Sequence, residues 1–84
     1  MKTVPEVVSW MRNYISVSLG IDYELVDPKC DFSVLGLDSL TGTTMIGDLE
    51  VWAECTLESS YLSACNTIDE VALVVSDAIR ASKC

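Results

Sequence analysis

Six residues near the middle of the chain, Leu35-Gly36-Leu37-Asp38-Ser39-Leu40, put a hydroxyl next to the signals of a helix start. Asp38 is suited to be an N-cap, its carboxylate accepting from N–H groups of the first turn. Gly36 lets the chain turn tightly just before it. A helix start leaves backbone N–H groups unpaired and carries partial positive charge, so a negatively charged group is favoured there. Ser39, at the boundary, is therefore a candidate attachment point for a phosphate-linked group. Its hydroxyl has no route to acting as a catalytic nucleophile. The chain contains no histidine, so neither Ser-His nor Cys-His activation is available, and no Gly-x-Ser-x-Gly elbow surrounds Ser39. No catalytic residue is expected.

The other chemistry-bearing residues point away from metals. The four cysteines, Cys30, Cys55, Cys65 and Cys84, include no C-x-x-C pair, and without histidine a structural zinc site has no ligand set. The acids Asp22, Glu24, Asp27 and Asp31 lack EF-hand spacing. No metal site is expected, and the cysteines are read as free thiols, Cys55 and Cys65 as small apolar residues near the core. Thirteen acidic against five basic residues give a net charge of −8. That balance repels nucleic acid and anionic membrane surfaces and attracts basic protein partners. Residues 1–6 have no apolar h-region, and the longest apolar run, 71–75, is far too short to span a membrane. The expected compartment is the cytoplasm. Eighty-four residues, half of them apolar, make one domain with a feasible core.

Helices must position Ser39. Thr3-Val4-Pro5-Glu6 is a capping box with proline in the first turn, followed by Val4, Val7, Val8, Met11, Ile15 and Leu19 at helical spacing. Gly20 ends this first helix. Ser9, Arg12, Asn13 and Ser16 fall between the apolar positions and are expected to face water. Residues 20–37 form a long connection, tacked to the core by Ile21, Leu25, Val26, Phe32, Leu35 and Leu37. The next helix starts at Asp38/Ser39 and runs to Ala53, with Gly42, Met45, Ile46, Leu49, Trp52 and Ala53 as its inner stripe. Leu40, Thr44, Gly47, Asp48 and Val51 lie on another face. Two glycines cost this helix roughly 1 kcal/mol each against alanine, and Gly42 suggests a close helix approach. A turn of helix is expected around residues 60–63. Thr67-Ile68-Asp69-Glu70 is a second capping box, opening a last helix with Ile68, Val71, Ala72, Val75, Ala78 and Ile79 inward and Leu73 and Val74 off that face.

This order, with Trp10 in the first helix, Phe32 before the motif, Gly36-Leu37-Asp38-Ser39-Leu40 and Gly47-Asp48-Leu49-Glu50-Val51-Trp52, resembles the acyl carrier proteins across essentially the whole chain. In detail it is most similar to carrier domains of modular polyketide synthases, particularly those beside fatty acyl-adenylate ligases. Gly42, Thr43 and Thr44, and Tyr61-Leu-Ser-Ala-Cys-Asn66, depart from that pattern. The resemblance implies an all-α four-helix bundle of acyl-carrier type: three main helices, a short third helix and a long loop after the first. It implies that a phosphopantetheinyl transferase moves 4′-phosphopantetheine from coenzyme A onto Ser39, with Asp38 and Leu40 beside it. Acyl groups would then ride on the arm as thioesters, presented to a ketosynthase, acyltransferase or acyl-adenylate ligase. By the same resemblance, partners would dock on the Ser39 helix through Leu40, Thr44, Gly47, Asp48, Glu50 and Val51. Residues 1–84 are then one carrier domain, excised from a larger synthase. The alternatives are a peptidyl carrier of a nonribosomal peptide synthetase, and an acidic helical docking domain without a prosthetic group; Asp38 before the serine favours acyl substrates.

Overall fold

Helix α1 (Val4–Leu19) begins where its capping box dictates. Thr3 Oγ1 accepts from the Glu6 N–H at 3.4 Å, the Glu6 carboxylate accepts from the Thr3 N–H at 3.2 Å, and Pro5 sits in the first turn. It stops at Gly20, whose left-handed backbone (φ 67°) closes the helix by donating to Ser16 O. The computed structural model describes residues 3–57 and 65–82, without the side chains of Ser39 and Ser82. After α1 come a 3-10 turn (Tyr23–Leu25), a one-turn helix α2 (Phe32–Leu35), helix α3 (Ser39–Ala53) and helix α4 (Ile68–Ser82). The short helix expected around residues 60–63 lies outside the described residues. Among the described residues there is no strand, only an isolated bridge between Asp31 and Thr67. No described helix is long and apolar enough to cross a membrane.

The core is where the three long helices turn their stripes inward. Val7, Met11 and Ile15 of α1 meet Met45, Leu49 and Ala53 of α3 and Ile68, Val71, Ala72, Val75 and Ile79 of α4. Val26 and Leu57 complete the buried cluster. Fully burying such aliphatic side chains contributes about 1.5–3 kcal/mol each, which is what a domain this small relies on. α4 differs from expectation in one place: Ser76 is buried and Ala78 only half-buried. Ser76 is small, and its Oγ accepts from Arg80 Nη2 at 3.4 Å, so burial leaves the hydroxyl partnered. Cys30, Cys55 and Cys65 are in no disulfide. Burial pushes the Cys55 and Cys65 thiols up, Glu50 and Glu70 adding to it, which favours unreactive thiols over nucleophilic ones.

The connection between α1 and α3 has more structure than its sequence announces. The polar side of α1 holds it down. Arg12 Nε donates to Val26 O at 2.8 Å and Nη2 to Tyr23 O at 3.1 Å, with the guanidinium 4.1 Å from the Tyr23 ring centre. Ser16 Oγ donates to Ile21 O at 2.6 Å. Arg12 and Ser16 therefore do not simply face water, as their helical phase suggests. Leu25 does not tack the loop down either: it is 64% exposed, and Val26, fully buried, does that work.

Candidate functional site

The start of α3 is set by a chain of fixed points that begins at α4. Asp69 N donates to Pro28 O at 3.1 Å and Phe32 N to Asn66 O at 2.9 Å, so the loop is stitched to the first turn of α4. Phe32 then opens α2, which closes at once. Leu37 N donates to Phe32 O at 3.1 Å and Gly36 N to Ser33 O at 3.3 Å, the paired bonds of a Schellman end. Gly36 takes φ 87° there, and among the described residues nothing lies within 4 Å of where a Cβ would be. Torsion alone, not crowding, asks for glycine. Phe32 and Leu37, the apolar pair of that motif, both pack against the core.

With Leu37 anchored, Asp38 is delivered in extended backbone (φ −86°, ψ 170°), and its carboxylate accepts from the Thr41 N–H at 2.7 Å. Gly42 N donates to Asp38 O at 2.9 Å, the first bond of the helix proper. Hydrogen bonds from Thr41, backbone and side chain, and a smaller one from the Leu40 N–H hold the Asp38 carboxyl below the usual carboxylate range, against a slight opposing desolvation. The sign follows. The folded value lies below the unfolded one, so the stabilisation is complete above about pH 4 and lost as pH falls through the folded value. Asp38→Asn keeps an N-capping side chain without the charge. Between about pH 4 and pH 2 the melting temperature of the natural protein is expected to fall more steeply than that of the variant, measured by thermal circular dichroism. Above about pH 5 the two curves should run parallel; divergence there would mean Asp38 is not the group responsible.

Leu40, Thr44, Gly47, Asp48 and Val51 share the solvent face of α3, as their spacing predicts. Leu40 is 77% exposed and Val51 79% exposed, and they stand about 17 Å apart along the helix on nearly one line. Glu50 is not on this face. It is half-buried, and its carboxylate accepts from the Leu57 N–H at 3.0 Å, fastening the chain that leaves α3. Gly42 does not serve a close helix approach: a Cβ there would meet only Leu37 Cδ2 at 3.8 Å, ordinary contact.

Asp48 stands at the edge of the face towards α1, where its Oδ2 accepts from the Tyr14 hydroxyl at 2.9 Å. That bond, with desolvation and the Asp48 charge behind it, pushes the Tyr14 hydroxyl up. Tyr14 stacks on Trp10 with ring centres 5.2 Å apart, and Trp10 stacks on Trp52 at 5.4 Å. Trp52, expected in the core, is instead half-buried in this three-ring stack. Helical phase on α1 and α3 separately gives no sign of it, because the rings meet only across the two helices.

Against known proteins, residues 9–75 match the family described as "Phosphopantetheine attachment site". A non-reducing polyketide synthase from Preussia isomera is 31% identical over 64 residues, which is 76% of this chain and 3% of the synthase. The chain thus spans a small fraction of that relative's length. Among solved structures, a free-standing peptidyl carrier protein from an uncharacterized Acinetobacter baumannii secondary metabolic pathway aligns with a TM-score of 0.78 at 28% identity, over 92% of this chain and 98% of that one. The fold is the all-α carrier-protein fold. The chain belongs to the phosphopantetheine-attachment family: it is a non-catalytic carrier domain whose prosthetic group is 4′-phosphopantetheine.

Proposed function

We propose that Ser39 carries the arm and that the domain holds acyl or polyketide intermediates for the enzymes of a larger synthase. The observation carrying this is the geometry of the α3 start: Ser39 is its first helical residue, and the flanking Asp38 and Leu40 are both exposed. These residues fit a covalent phosphodiester. The helix N-terminus favours negative charge, and the open flanks leave a modifying enzyme room. The arm, when bound, supplies a terminal thiol on which acyl groups are held as activated thioesters. The chain's own part is mechanical. Loop, Schellman turn and N-cap set the position of the proposed attachment point, and tethering raises the effective concentration of cargo at each partner site.

The exposed face of α3 is the proposed docking surface. Leu40 and Val51 offer apolar contact, Asp48 a charge for a basic partner, and Thr44 and Gly47 the small surface between them. Glu50 borders this surface and holds Leu57. Gly47 supports the assignment because, among the described residues, nothing lies within 4 Å of the position a Cβ would take. Gly47→Ala is expected to stabilise the domain by about 1 kcal/mol in denaturant melts and to slow acyl transfer by partner enzymes. Faster or unchanged transfer would remove Gly47 from the docking surface.

A polyketide-type origin is supported by the relative from Preussia isomera and by Asp38 before the serine; the peptidyl carrier structure supports an aminoacyl cargo instead. The test has two stages. Incubation with a phosphopantetheinyl transferase and coenzyme A should add one arm, read by intact mass. The holo protein is then offered an acyl-adenylate ligase or acyltransferase with acyl substrates, and an amino-acid adenylating enzyme with amino acids. Acyl loading is expected; aminoacyl loading alone would overturn the polyketide reading and leave the carrier reading in place.

A further inference from the structure

The two capping boxes differ in one detail, and it bears on the proposed attachment point. In the first, Glu6 Oε1 serves its own cap, taking the Thr3 N–H at 3.2 Å and the Thr3 hydroxyl at 3.1 Å. In the second, Glu70 Oε1 takes the Thr67 hydroxyl at 3.4 Å, while Oε2 reaches one residue beyond the cap, to the Asn66 N–H at 3.3 Å. A helical side chain leans towards the helix N-terminus, which is what lets residue 70 reach back to residue 66. Asn66 is the residue whose carbonyl accepts the Phe32 N–H at 2.9 Å. It is therefore held twice, its N–H by α4 and its carbonyl by the loop. The loop meets α4 at two neighbouring points as well. Asp31 bridges to Thr67, and Asp69, whose N–H has no partner inside a first helical turn, donates to Pro28 O at 3.1 Å. Arg12 holds residues 23–26 of the loop against α1, and the start of α4 holds residues 28–32. Phe32 passes the placement on: its carbonyl accepts the Leu37 N–H at 3.1 Å, and Leu37 leads directly into the Asp38 cap.

We propose that Glu70 is a positioning residue for arm attachment: through Asn66, Phe32 and Leu37 it sets the entry to α3 and so the presentation of Ser39. The inference rests on Ser39 being the attachment point and adds to that site a residue on another helix. Glu70 and Asn66 are both exposed, and their bond lies outside the core. Losing it loosens the loop and leaves the packing of α1, α3 and α4 in place. A smaller fraction of molecules then holds the start of α3 where a transferase needs it. The enzyme selects that fraction, so its KM for the apo protein rises, while kcat, which is set after docking, does not change.

Glu70→Ala, Glu70→Gln and Glu6→Ala are compared with the natural apo protein, well below every melting transition. Two quantities are measured: KM and kcat of a phosphopantetheinyl transferase with coenzyme A, and amide hydrogen exchange by NMR of the 15N-labelled protein. Glu70→Ala is expected to raise KM about threefold at unchanged kcat, the effect of one exposed hydrogen bond. Exchange at Phe32 and Leu37 should quicken about threefold, with Met11 in α1 and Ala72 in α4 unmoved. Glu70→Gln keeps an oxygen for the Asn66 N–H and should behave as the natural protein does. A charge effect at the helix end would instead make glutamine behave like alanine. Glu6→Ala removes the matching box from α1 and should move neither KM nor exchange at Phe32. Equal KM shifts from Glu70→Ala and Glu6→Ala would overturn the proposal, as would a glutamine variant that matches alanine. Faster exchange spread over all helices, or loss of the whole fold in Glu70→Ala, would overturn it too. A natural protein that takes no arm would refute the reading of Ser39. The exchange comparison needs no arm and would still decide whether Glu70 sets the loop.

Discussion

Ser39→Ala is expected to abolish arm attachment outright. After incubation with a phosphopantetheinyl transferase and coenzyme A, the natural protein should gain one phosphopantetheine increment in its intact mass, and the variant none. The fold should scarcely notice. The cap of α3 belongs to Asp38, whose carboxylate takes the Thr41 N–H, and the first backbone bond runs from Gly42 to Asp38. Both bonds run between other residues, and alanine is well tolerated at a first helical position. The melting temperature and far-ultraviolet circular dichroism should therefore match, with any stability change within about 0.5 kcal/mol. That separation of outcomes is the strength of the experiment. A variant that still gains the arm would move the attachment to another serine. A variant that loses both arm and fold would show that the hydroxyl is structural, contrary to the division of labour between Asp38 and Ser39.

That division explains why the motif is written in this order. Gly36 ends one helical turn in a left-handed conformation, Leu37 anchors the exit, Asp38 caps the next helix, and only then comes Ser39, the proposed attachment point. Each earlier residue gives up its conformational freedom to placement, and the cap itself is made by Asp38. The face of α3 beyond it follows the same logic. Met45, Leu49 and Ala53 are committed to the core, whereas Leu40, Gly47 and Val51 are committed to nothing within the described chain. Large exposed apolar residues aligned on one helix face beside the proposed attachment point are what the proposed docking surface needs.

The three long helices were legible because their ends are spelled in local chemistry. Thr3 with Glu6 and Pro5, Gly20, Asp38, and Thr67 with Glu70 each act within one helical turn, and the structure places α1, α3 and α4 where those residues require. The second box differs only in detail, Glu70 reaching the Asn66 N–H at 3.3 Å. Helix α2 leaves no periodicity in the sequence because four residues are too few for any to register. Its signal was of another kind: Phe32 and Leu37 flanking Gly36 at the spacing of a Schellman end. What could not be read were contacts that depend on where a loop passes. Arg12 and Ser16 occupy the polar phase of α1, and phase alone cannot tell water from a carbonyl brought in from residue 21, 23 or 26. Glu50 holding Leu57, and Trp10 stacked on Trp52, are likewise products of tertiary proximity. For the candidate site this means that the attachment motif and the outer face of α3 were visible, while the aromatic border on α1 was not.

Arg12→Met should produce the largest loss of stability from any surface-phase substitution in the chain, about 4 kcal/mol. Methionine keeps the apolar stem against α1 but removes two charge-assisted bonds, to Val26 O at 2.8 Å and Tyr23 O at 3.1 Å, each part-buried. Bonds from a charged donor contribute about 1.5–3 kcal/mol, and the carbonyls left behind have lost their partner in a place water reaches poorly. Removing the guanidinium from the Tyr23 ring, 4.1 Å away, adds about 0.5–1 kcal/mol. Against a total of roughly 0.05–0.15 kcal/mol per residue, the loss is a large fraction of what holds an 84-residue domain together. In a domain of this size it corresponds to a fall in melting temperature of about 15 °C. Arg12→Lys should recover only part, because one ammonium cannot reproduce the planar fork that serves both carbonyls and covers the ring. The effect should also be directional. Hydrogen exchange is expected to rise first at Leu25 and Val26, whose N–H groups donate to Asp22 O and Tyr23 O, and next at Phe32, the stitch to Asn66. Because that stitch fixes α2 and the entry to α3, arm transfer should fall at temperatures where α1 and α4 are still folded. Uniform exchange across all helices, with transfer lost only at global melting, would instead make Arg12 a general stabiliser with no particular hold on the loop that presents Ser39.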